Sequence, residues 1–370
     1  MLDQPTSGPA LSDDTAPRAD ESALAGSGDG PAHRPRRRAL RRTLIALGTL
    51  VLVLVVAIGG AFWYLTDRYA GNIDRVGDVF KGVQDRPAAA SPADSATAKG
   101  APVTFLLVGS DTREKISPGS VPDARSDAIM IARFSADHAH AQIISIPRDS
   151  WVDIPGHGKS KINAAYSWGG PTLLIQTVEQ LTGVRIDHFA AIDFDGLINV
   201  TDALGGVDVT VPQTTSWGPY TFTQGVNHLD GDKARWYVGQ RHGLPGGDFD
   251  RERRQQNYLR AMFTKLSDQG LFSSPGKLDD VVRTVTGSIA VDSGLSNTDV
   301  LSMAYSLRDL RPGGVDFFTA PVLGTGMEGA ASVVYLNTNA DARMWGYLNT
   351  DSLSQNAAEF TNQALPDVPN

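Results

Sequence analysis

An uncharged apolar run, TLIALGTLVLVLVVAIGGAFWYL, occupies residues 43–65 and constrains this chain more than any other feature. As an α-helix it is long enough to cross the roughly 30 Å hydrocarbon core of a bilayer. A cleaved signal peptide has a shorter apolar region and a small-residue cleavage site. This run instead ends in Phe62, Trp63 and Tyr64, aromatic residues that are typical of a membrane interface. The sequence therefore predicts one uncleaved transmembrane helix near the N-terminus.

A basic segment, RPRRRALRR at 34–42, lies immediately before the apolar run and contains six arginines in nine positions. Positive residues beside a membrane span stay on the cytoplasmic side. A basic run can also be a nucleic-acid-binding arm, but its position against the span favours the topological interpretation. Residues 1–33 are rich in small and polar residues and show no apolar period, which predicts disorder. We therefore expect a single-pass protein of the cell membrane, with residues 1–42 cytoplasmic and the folded part extracellular.

Composition excludes several classes of function. The net charge of -8 argues against a nucleic-acid-binding protein, which usually carries a basic field. The chain has no cysteine, so disulfides, thiol catalysis and cysteine–zinc sites are excluded. Its seven histidines show no metal-binding spacing such as HExxH, so no zinc site is expected.

The chain beyond the apolar run is predicted to consist of a linker, one external domain and a tail. Residues 66–102 form the linker, whose end is marked by the sequence SPADSATAKGAP. The domain spans residues 103–325, and residues 326–370 form a C-terminal extension and tail. No further segment is long and apolar enough to span a membrane.

The external domain mixes strand and helix patterns. Short apolar runs bounded by turn residues predict strands, as in VTFLLVGSD, DAIMIARF, AQIISIP, DHFAAIDF, VDVTVP, VDFFTAP and SVVYLN. Apolar residues at helical spacing, together with residues that typically start or end helices, predict helices. Examples are PTLLIQTVEQLTG, DGLINVTDALGG, RERRQQNYLRAMFTKL, SNTDVLSMAYSLRDL and DARMWGYL. The strands at 127–134 and 141–147 form a predicted hairpin. The class is therefore α/β or α+β, with a mixed, partly antiparallel sheet covered by helices.

Charged residues are predicted to meet at one end of this sheet. If the hairpin turn is centred between positions 137 and 138, Asp127 faces Arg148 and Asp149. If the first two strands are antiparallel neighbours as well, that end also collects Asp111, Arg113 and Arg125. Carboxylates interleaved with arginines suit a hard cation such as Mg²⁺ together with an anionic ligand. The alternative is a ring of surface salt bridges without a ligand.

Two arginines are predicted to point inward from the first turn of a helix. The helix in RERRQQNYLRAMFTKL has an apolar stripe made of Tyr258, Leu259, Met262, Phe263 and Leu266. Extended backwards, the same stripe contains Arg251, Arg254 and Gln255, whereas Arg253 falls towards solvent. Cations at a positive helix N-terminus favour an anion, and the planar arginine fork binds phosphate oxygens in pairs. The alternative is internal pairing with Asp248, Asp250 or Asp232.

These motifs together resemble the LytR-CpsA-Psr family of bacterial cell-envelope proteins, in its actinobacterial form. The segments that carry the resemblance lie between Val103 and Lys265 and read FLLVGSDTR, ARSDAIMIARF, IISIPRDSWVDIPG, KINAAYSWGGP, DHFAAIDFDGLINVTDALGGVDVTVP, LDGDKARWYVGQRHG and GDFDRERRQQ. The resemblance implies an α-β-α fold around a mixed sheet, after one transmembrane anchor. It also implies transfer of a glycopolymer such as teichoic acid from an undecaprenyl-pyrophosphate carrier to N-acetylmuramic acid of peptidoglycan. The resemblance also implies that Mg²⁺ would assist that reaction and that the prenyl chain would lie in an apolar tunnel.

The resemblance further implies roles for individual residues. Asp111 and Asp127 would hold the metal. The pyrophosphate would be bound by Arg113, Arg125, Arg148, Arg241, Arg251, Arg254 and Gln255. The residues expected to act in catalysis are Arg148, Arg251, Arg254 and Asp149, with Asp149 or Asp127 as the general base. Gly239 stands where the family usually has an arginine, because the segment reads YVGQR.

Two other functions remain open at this point. One is a non-catalytic protein that binds polyprenyl phosphates in assembly or regulation, an alternative that Gly239 keeps open. The other is a polyprenyl-pyrophosphate pyrophosphatase, in which water replaces the sugar hydroxyl. The aromatic residues Trp151, Tyr166, Trp168 and Trp236 are assigned to the core or its rim.

Overall fold

Strands and helices are mixed along the folded part of the chain. The computed structural model describes residues 73–90, 100–110, 126–268, 283–306 and 310–370. Their strands are β1 (Asp74–Arg75), β2 (Val103–Ser110), β3 (Ser126–Phe134), β4 (Ala141–Ser145), β5 (Trp151–Ile154), β6 (Gly158–Lys161), β7 (His188–Asp193), β8 (Val207–Val211), β9 (Thr215–Trp217), β10 (Tyr220–Phe222), β11 (Gly225–Leu229), β12 (Ile289–Val291), β13 (Val315–Thr319), β14 (Val322–Glu328) and β15 (Ala331–Leu336). Their helices are α1 (Asn163–Thr182), α2 (Phe194–Ala203), α3 (Gly231–Gly239), α4 (Asp248–Asp268), α5 (Asn297–Ser306) and α6 (Thr338–Asn349), with 3-10 helices at Pro312–Gly314 and Ser354–Phe360.

Seven of the described strands form one central sheet, in the order β1-β12-β7-β2-β3-β4-β13. The pairs β12–β7, β2–β3 and β3–β4 are antiparallel. The pairs β1–β12, β7–β2 and β4–β13 are parallel. β4 is buried at every position, as expected for a strand that is covered on both faces. The prediction of a mixed, partly antiparallel sheet is therefore confirmed.

Alternate residues of each strand point to opposite faces of the sheet. Apolar side chains lie on both faces, and helices cover both of them. On one face, Leu106 and Ile131 pack in a cluster with residues of α1 and α6. On the other face, Phe105 and Met130 pack with residues of α4 and α5. A third cluster joins α2, α3 and α4 to β8 and β11. This layered arrangement agrees with the α-β-α fold that the motifs imply.

α1 contains a break that the Gly-Gly-Pro sequence explains. Gly169 and Gly170 have non-helical backbone conformations, and Pro171 begins the regular part of the helix. Gly170 has φ 62° and ψ -155°, a conformation that only glycine adopts without strain. The helix ends at Gly183 with a left-handed cap, so the prediction of a helix over residues 171–183 is confirmed.

Two short hairpins outside the central sheet are not predicted by the sequence pattern. β5 pairs with β6, and β9 pairs with β10. These strands are three or four residues long, and one of them reads GKSK, so they give almost no period-two signal. Their pairing depends on contacts with the rest of the fold.

No helix among the described residues is long and apolar enough to cross a membrane. The predicted span at 43–65 and the predicted cytoplasmic segment at 1–42 lie outside these residues, and both stay predictions. The boundaries of the linker (66–102), the external domain (103–325) and its extension (326–370) also stay predictions.

Substitution of a central core residue tests the packing. Ile131 of β3 is fully buried. Ile131→Ala should lower the free energy of unfolding by about 2–5 kcal/mol, because it removes buried methylene groups and leaves a cavity. Denaturant unfolding of a 66–370 fragment, followed by tryptophan fluorescence, measures this change. The control is Val226→Ala on β11, where the side chain is 70% exposed and the expected change is within about 0.5 kcal/mol. Equal effects of the two substitutions would contradict the packing.

Candidate functional site

Asp127 and Arg148 lie at the same end of the central sheet. The register of β3 and β4 pairs Met130 with Ser145, and its extension places position 127 opposite position 148 as predicted. Nη1 of Arg148 donates a hydrogen bond to Oδ1 of Asp127. β2 is the antiparallel neighbour of β3, which is the condition stated above for the larger charge cluster. The remaining members of the predicted cluster lie outside the described residues, so their positions stay predictions: Asp111, Arg113 and Arg125.

Two further arginines reach the same carboxylate oxygen. Arg241 follows α3, and its Nη2 lies 3.2 Å from Oδ1 of Asp127. Arg251 belongs to the first turn of α4, and its Nη1 lies 3.7 Å from that oxygen. With Arg148, three guanidinium groups from three separate parts of the chain therefore surround one oxygen atom.

Asp248 supplies a second carboxylate to the same arginines. Its Oδ2 lies 3.1 Å from Nε of Arg148 and 2.9 Å from Nη2 of Arg251, and its Oδ1 lies 3.6 Å from Nε of Arg241. Internal pairing, the alternative raised for Arg251, is therefore present in this structure. We call Arg148, Arg241, Arg251, Asp127 and Asp248 the arginine cluster. Three positive and two negative formal charges leave it one positive charge for an anionic ligand.

Burial and neighbouring charges act on these arginines in opposite directions. Burial alone would lower the pKa of Arg148, but the negative charges of Asp248 and Asp127 outweigh it, and the pKa is raised. Burial lowers the pKa of Arg251, which is 1% exposed. Asp248 opposes this effect, while repulsion from Arg148 and Arg241 adds to it. Since guanidinium pKa values are very high, both groups stay charged at neutral pH.

Arg254 is fully buried on α4 but has a different set of partners. It donates to Oε1 of Gln240 at 2.6 Å and to Oγ1 of Thr215 at 2.9 Å. Its guanidinium lies 4.7 Å from the centre of the Tyr237 ring. The inward direction predicted for Arg254 is confirmed. Among the described residues, Arg254 contacts these neutral groups and does not contact the carboxylates of Asp127 and Asp248.

Three other candidate residues occupy distinct positions. The side chain of Arg253 is 42% exposed, so its predicted solvent-facing direction is confirmed. Gln255 donates to a backbone carbonyl of α3 at 3.4 Å and lines an apolar cavity. Asp149 pairs with Lys161 at 3.1 Å, next to the arginine cluster rather than within it.

An apolar cavity of about 210 Å³ lies beside the arginine cluster. Asp127 lines it, together with parts of strands β2, β3 and β7 and of helices α2, α3 and α4. Its apolar lining includes Leu107, Ala190, Leu197, Tyr258, Leu259 and Met262. A ligand that fits both features has an anionic group joined to an apolar chain.

Glu252 is a buried carboxylate that the helical pattern does not predict. Its Oε2 has no hydrogen-bond partner among the described residues. Burial, with a smaller effect of Asp248, raises its pKa to about 8, and the charge of Arg251 offsets only part of this rise. α4 is buried on a second face as well, where Gln256 donates to the carbonyl of Phe318 in β13. A stripe defined by apolar residues alone therefore underestimates the buried surface of α4.

The donor set around Asp127 is compatible with the expected Mg²⁺. The described residues contain no group of three or more histidine and carboxylate side chains that would hold a metal by itself. Mg²⁺ commonly binds through one or two carboxylates and takes its other ligands from phosphate and water. The guanidinium contacts of Asp127 all go to Oδ1. Asp111, the predicted second ligand, lies outside the described residues.

The model of the LytR_cpsA_psr family matches residues 80–349, which include the whole arginine cluster. The chain belongs to this LytR-CpsA-Psr family. One relative is "Cell wall biosynthesis protein LcpA" of Corynebacterium glutamicum, 31% identical over 343 residues, or 80% of this chain and 63% of that protein. "Probable cell wall biosynthesis protein LcpB" of the same species is 34% identical over 245 residues, or 63% of this chain and 57% of that protein. The matches thus cover less than two thirds of either relative, and both support the actinobacterial form of the family.

A relative named as a transferase and two solved structures are similar as well. TagU of Halalkalibacterium halodurans, "Polyisoprenyl-teichoic acid--peptidoglycan teichoic acid transferase", is 32% identical over 270 residues, or 72% of this chain and 85% of that protein. The crystal structure of Bacillus subtilis TagV matches with a TM-score of 0.57 and 26% identity, over 68% of this chain and 97% of that one. "TagT bound to LIIa-WTA" matches with a TM-score of 0.55 and 23% identity, over 73% and 97%. At this identity the TagT likeness shows the shared fold.

In this LytR-CpsA-Psr chain, Gly239 has room for a larger side chain. It is the last residue of α3, and a Cβ atom placed there would meet no atom within 4 Å. Packing at the Cβ position therefore does not require glycine here. Arg241 is the cation that this segment brings to Asp127.

The raised pKa of Glu252 predicts a pH dependence of stability. Glutamate ordinarily titrates near 4.5, whereas Glu252 in the folded chain titrates at about 8. Between these pH values the folded state holds one more proton, so the free energy of unfolding falls as pH rises, by at most about 1.4 kcal/mol per pH unit. Glu252→Gln should remove this contribution and be more stable than the parent at pH 8. Denaturant unfolding at a series of pH values measures both effects.

The matched control for this prediction is Glu359→Gln, at a carboxylate whose side chain is 43% exposed. This variant should keep the pH slope of the parent. If Glu252→Gln also keeps that slope, the conclusion that Glu252 is buried and protonated in the folded chain is wrong.

Proposed function

We propose that this chain is a membrane-anchored phosphotransferase. It transfers a glycopolymer from an undecaprenyl-pyrophosphate carrier to N-acetylmuramic acid of peptidoglycan. The observation that carries this proposal is the position of Arg148, Arg241 and Arg251 next to an apolar cavity that Asp127 also lines. A prenyl pyrophosphate has an apolar chain for the cavity and an anionic group for the arginines.

The relatives support this assignment of substrate class. TagU of Halalkalibacterium halodurans is named for transfer of a polyisoprenyl-linked teichoic acid to peptidoglycan. The two corynebacterial relatives are named for cell wall biosynthesis. We extend the same type of reaction to this chain, with a lipid-linked glycopolymer as donor and peptidoglycan as acceptor.

The proposed reaction moves a glycosyl phosphate group. The acceptor hydroxyl oxygen attacks the phosphorus atom that carries the donor sugar, and the bond from that phosphorus to the prenyl phosphate breaks. The hydroxyl proton passes to a base, and prenyl phosphate leaves with its negative charge. Positioning and charge neutralisation supply most of the catalysis in phosphoryl transfer. In this chain, Arg148, Arg241 and Arg251 would perform both tasks.

The two carboxylates of the arginine cluster prepare it for this ligand. Asp127 and Asp248 hold the three guanidinium groups close together through ion pairs. Phosphate oxygens would replace part of these contacts, so the arginines need little rearrangement on binding. Low reorganisation at the moment of reaction is the main advantage of preorganised charge.

Asp149 is the general base that we favour. It follows Arg148 directly and pairs with Lys161, so it lies beside the arginines that would hold the phosphates. Asp127, the other candidate, contacts all three arginines of the cluster. We assign Asp127, with Asp111, to Mg²⁺. When bound, this ion would neutralise phosphate charge next to the arginines.

The proposed location follows from the predicted span at 43–65. A helix there would anchor the chain in the cell membrane, with the arginine cluster on the extracellular side. A prenyl chain is itself a membrane lipid, so an anchored domain is held close to its donor. We therefore include membrane anchoring in the proposed function.

Gly239 favours a second candidate, a non-catalytic protein that binds polyprenyl phosphates. A Cβ atom at this position would meet no neighbouring atom within 4 Å, yet the chain has glycine where the resemblance leads us to expect an arginine. Lipid retained by the purified chain, with no Mg²⁺-dependent turnover, would support this candidate. A pyrophosphatase is separated from a ligase by comparing phosphate release with and without peptidoglycan.

Substitution of Arg251 tests the proposed function directly. Arg251→Ala should lower the rate of transfer by about 100-fold or more, because it removes one cation that neutralises the reacting phosphates. The assay uses a 66–370 fragment, a lipid-linked donor, a peptidoglycan acceptor and Mg²⁺. Arg253→Ala is the matched control, two residues away on the same helix with a side chain exposed to solvent. It should retain the rate of the parent within about threefold.

Two outcomes would reject the proposed site. One is equal activity of the Arg251→Ala and Arg253→Ala variants. The other is intact transfer by Asp111→Ala, which would remove Asp111 from the metal site.

The apolar cavity is tested by filling it. Met262 of α4 lines the cavity, so Met262→Trp should exclude about two methylene groups of a prenyl chain. Their burial contributes ~1.6 kcal/mol, so KM for a long-chain donor should rise by about 15-fold. A donor with a short prenyl analogue should keep its KM. Leu323→Trp, at a side chain 71% exposed on β14, is the control. An equal rise in KM for the two donors would show that the prenyl group does not bind in the apolar cavity.

A further inference from the structure

A second cavity, of about 550 Å³, adjoins the arginine cluster. Arg148 lines it, and the same side chain contacts Asp127, which lines the apolar cavity. Ligand-binding cavities commonly measure about 300–1,000 Å³. The proposed function assigns the prenyl chain to the apolar cavity and the pyrophosphate to the arginines. It leaves this second cavity without a ligand.

Elements from three parts of the chain line the second cavity. The β5–β6 hairpin contributes Trp151 and Lys161, which are directly opposite each other in the register. The first turns of α1 contribute Asn163 and Trp168. Ala331, from the β14–β15 hairpin, completes the lining. The cavity thus depends on short segments whose pairing the sequence pattern does not predict.

Trp168 presents an indole ring at the edge of this cavity. The residue is 45% exposed, which is unusual for so large an apolar side chain. Its ring lies 5.0 Å from the ring of His157, with an angle of 35° between the planes. α1 breaks immediately afterwards, at Gly169 and Gly170. Trp168 therefore lies against a neighbouring ring at the rim of the core, lines the cavity and keeps nearly half of its surface exposed.

The polar part of the lining carries nearly balanced charge. Asp149 and Lys161 form an ion pair at 3.1 Å, and Arg148 already contacts two carboxylates. The side chain of Asn163 adds an uncharged donor and acceptor. A long apolar chain would leave these groups without water, and a further phosphate would meet the negative charge of Asp149. A neutral, hydroxylated ligand with one apolar face suits the lining.

We propose that the second cavity is a glycan subsite that holds the sugar ring next to the transferred phosphate. A pyranose ring has apolar C–H faces, which would pack on Trp168, and hydroxyl groups at its edge, which would reach Asn163, Lys161 and Asp149. This inference rests on the proposed function. It deepens that function by naming the residues that bind sugar.

Two sugars have the required chemistry. One is the donor sugar, which is bonded to the transferred phosphate. The other is the peptidoglycan sugar, whose hydroxyl attacks that phosphate. In the proposed reaction both would lie within one sugar ring of the phosphate that Arg148 would bind, so the same lining suits either. Kinetics with each substrate varied in turn separate them.

The experiment uses the full chain in detergent, with lipid-linked donor and soluble peptidoglycan strands as acceptor. Trp168→Ala should raise KM for the sugar that the subsite binds by about tenfold, because it removes the stacking surface. Trp168→Tyr keeps a flat ring and should stay within about threefold of the parent. Val226→Ala, which shortens an exposed apolar side chain on β11, should leave both KM values unchanged.

Each kinetic outcome has one meaning. A rise in the acceptor KM alone assigns the subsite to peptidoglycan, and a rise in the donor KM alone assigns it to the glycopolymer. Unchanged values of both in Trp168→Ala, with the parent active, overturn the proposal. An equal loss in Trp168→Tyr and Trp168→Ala would also overturn it, because a flat ring would then not be what matters.

Direct binding separates this inference from the proposed function. If the parent shows no transfer, binding of a soluble muramyl disaccharide and of N-acetylglucosamine 1-phosphate is measured by isothermal titration calorimetry, whose signal does not depend on the tryptophan that is replaced. Binding of either by the parent and not by Trp168→Ala supports a glycan subsite in a protein that is not a transferase. The absence of binding to both probes overturns the subsite.

Discussion

A single oxygen atom, Oδ1 of Asp127, brings together the arginines on which the proposed site depends. Two like charges 4 Å apart repel by about 4 kcal/mol at an effective dielectric constant near 20, so Arg148, Arg241 and Arg251 would separate without a shared anion. Arg251 is almost fully buried and needs such a partner most, since an unpaired buried charge is costly. Asp248 supplies the second carboxylate. The two carboxylates thus hold the cluster together, and it keeps one positive charge in excess.

The arginine cluster lies between two cavities of opposite character. The apolar cavity is lined by Asp127 and by side chains such as Leu259 and Met262. The second cavity has a more polar lining, which includes Arg148 and the exposed side chain of Trp168. A donor that consists of a lipid, a pyrophosphate and a glycan has the same three parts in the same order. The proposed function and the proposed glycan subsite both follow from this correspondence between the order of the cavities and the chemistry of the substrate.

Local pattern was sufficient to predict the parts of the site that depend on one element or one hairpin. The turn centre of the β3–β4 hairpin fixes its register, so the approach of Asp127 to Arg148 was predictable. The helical period of α4 likewise placed Arg251 inward and Arg253 outward. The period did not reveal that α4 is buried on two faces, and it therefore missed Glu252. Burial on a second face depends on which strands pack there.

The sequence by itself determined the mixed strand and helix class, the hairpin register, the inward face of α4 and the motifs of the family. Only the tertiary structure decided that Arg254 binds Gln240 and Thr215 while Arg251 joins Asp127, although both arginines lie on one helical stripe. The two cavities likewise could not be located from the sequence pattern, since each is lined by residues from several separate elements. The physical reason is that backbone hydrogen bonding and apolar periodicity act over a few residues. The partners of a buried charge can come from segments more than a hundred residues apart, as for Arg251 and Asp127, and packing alone brings them together.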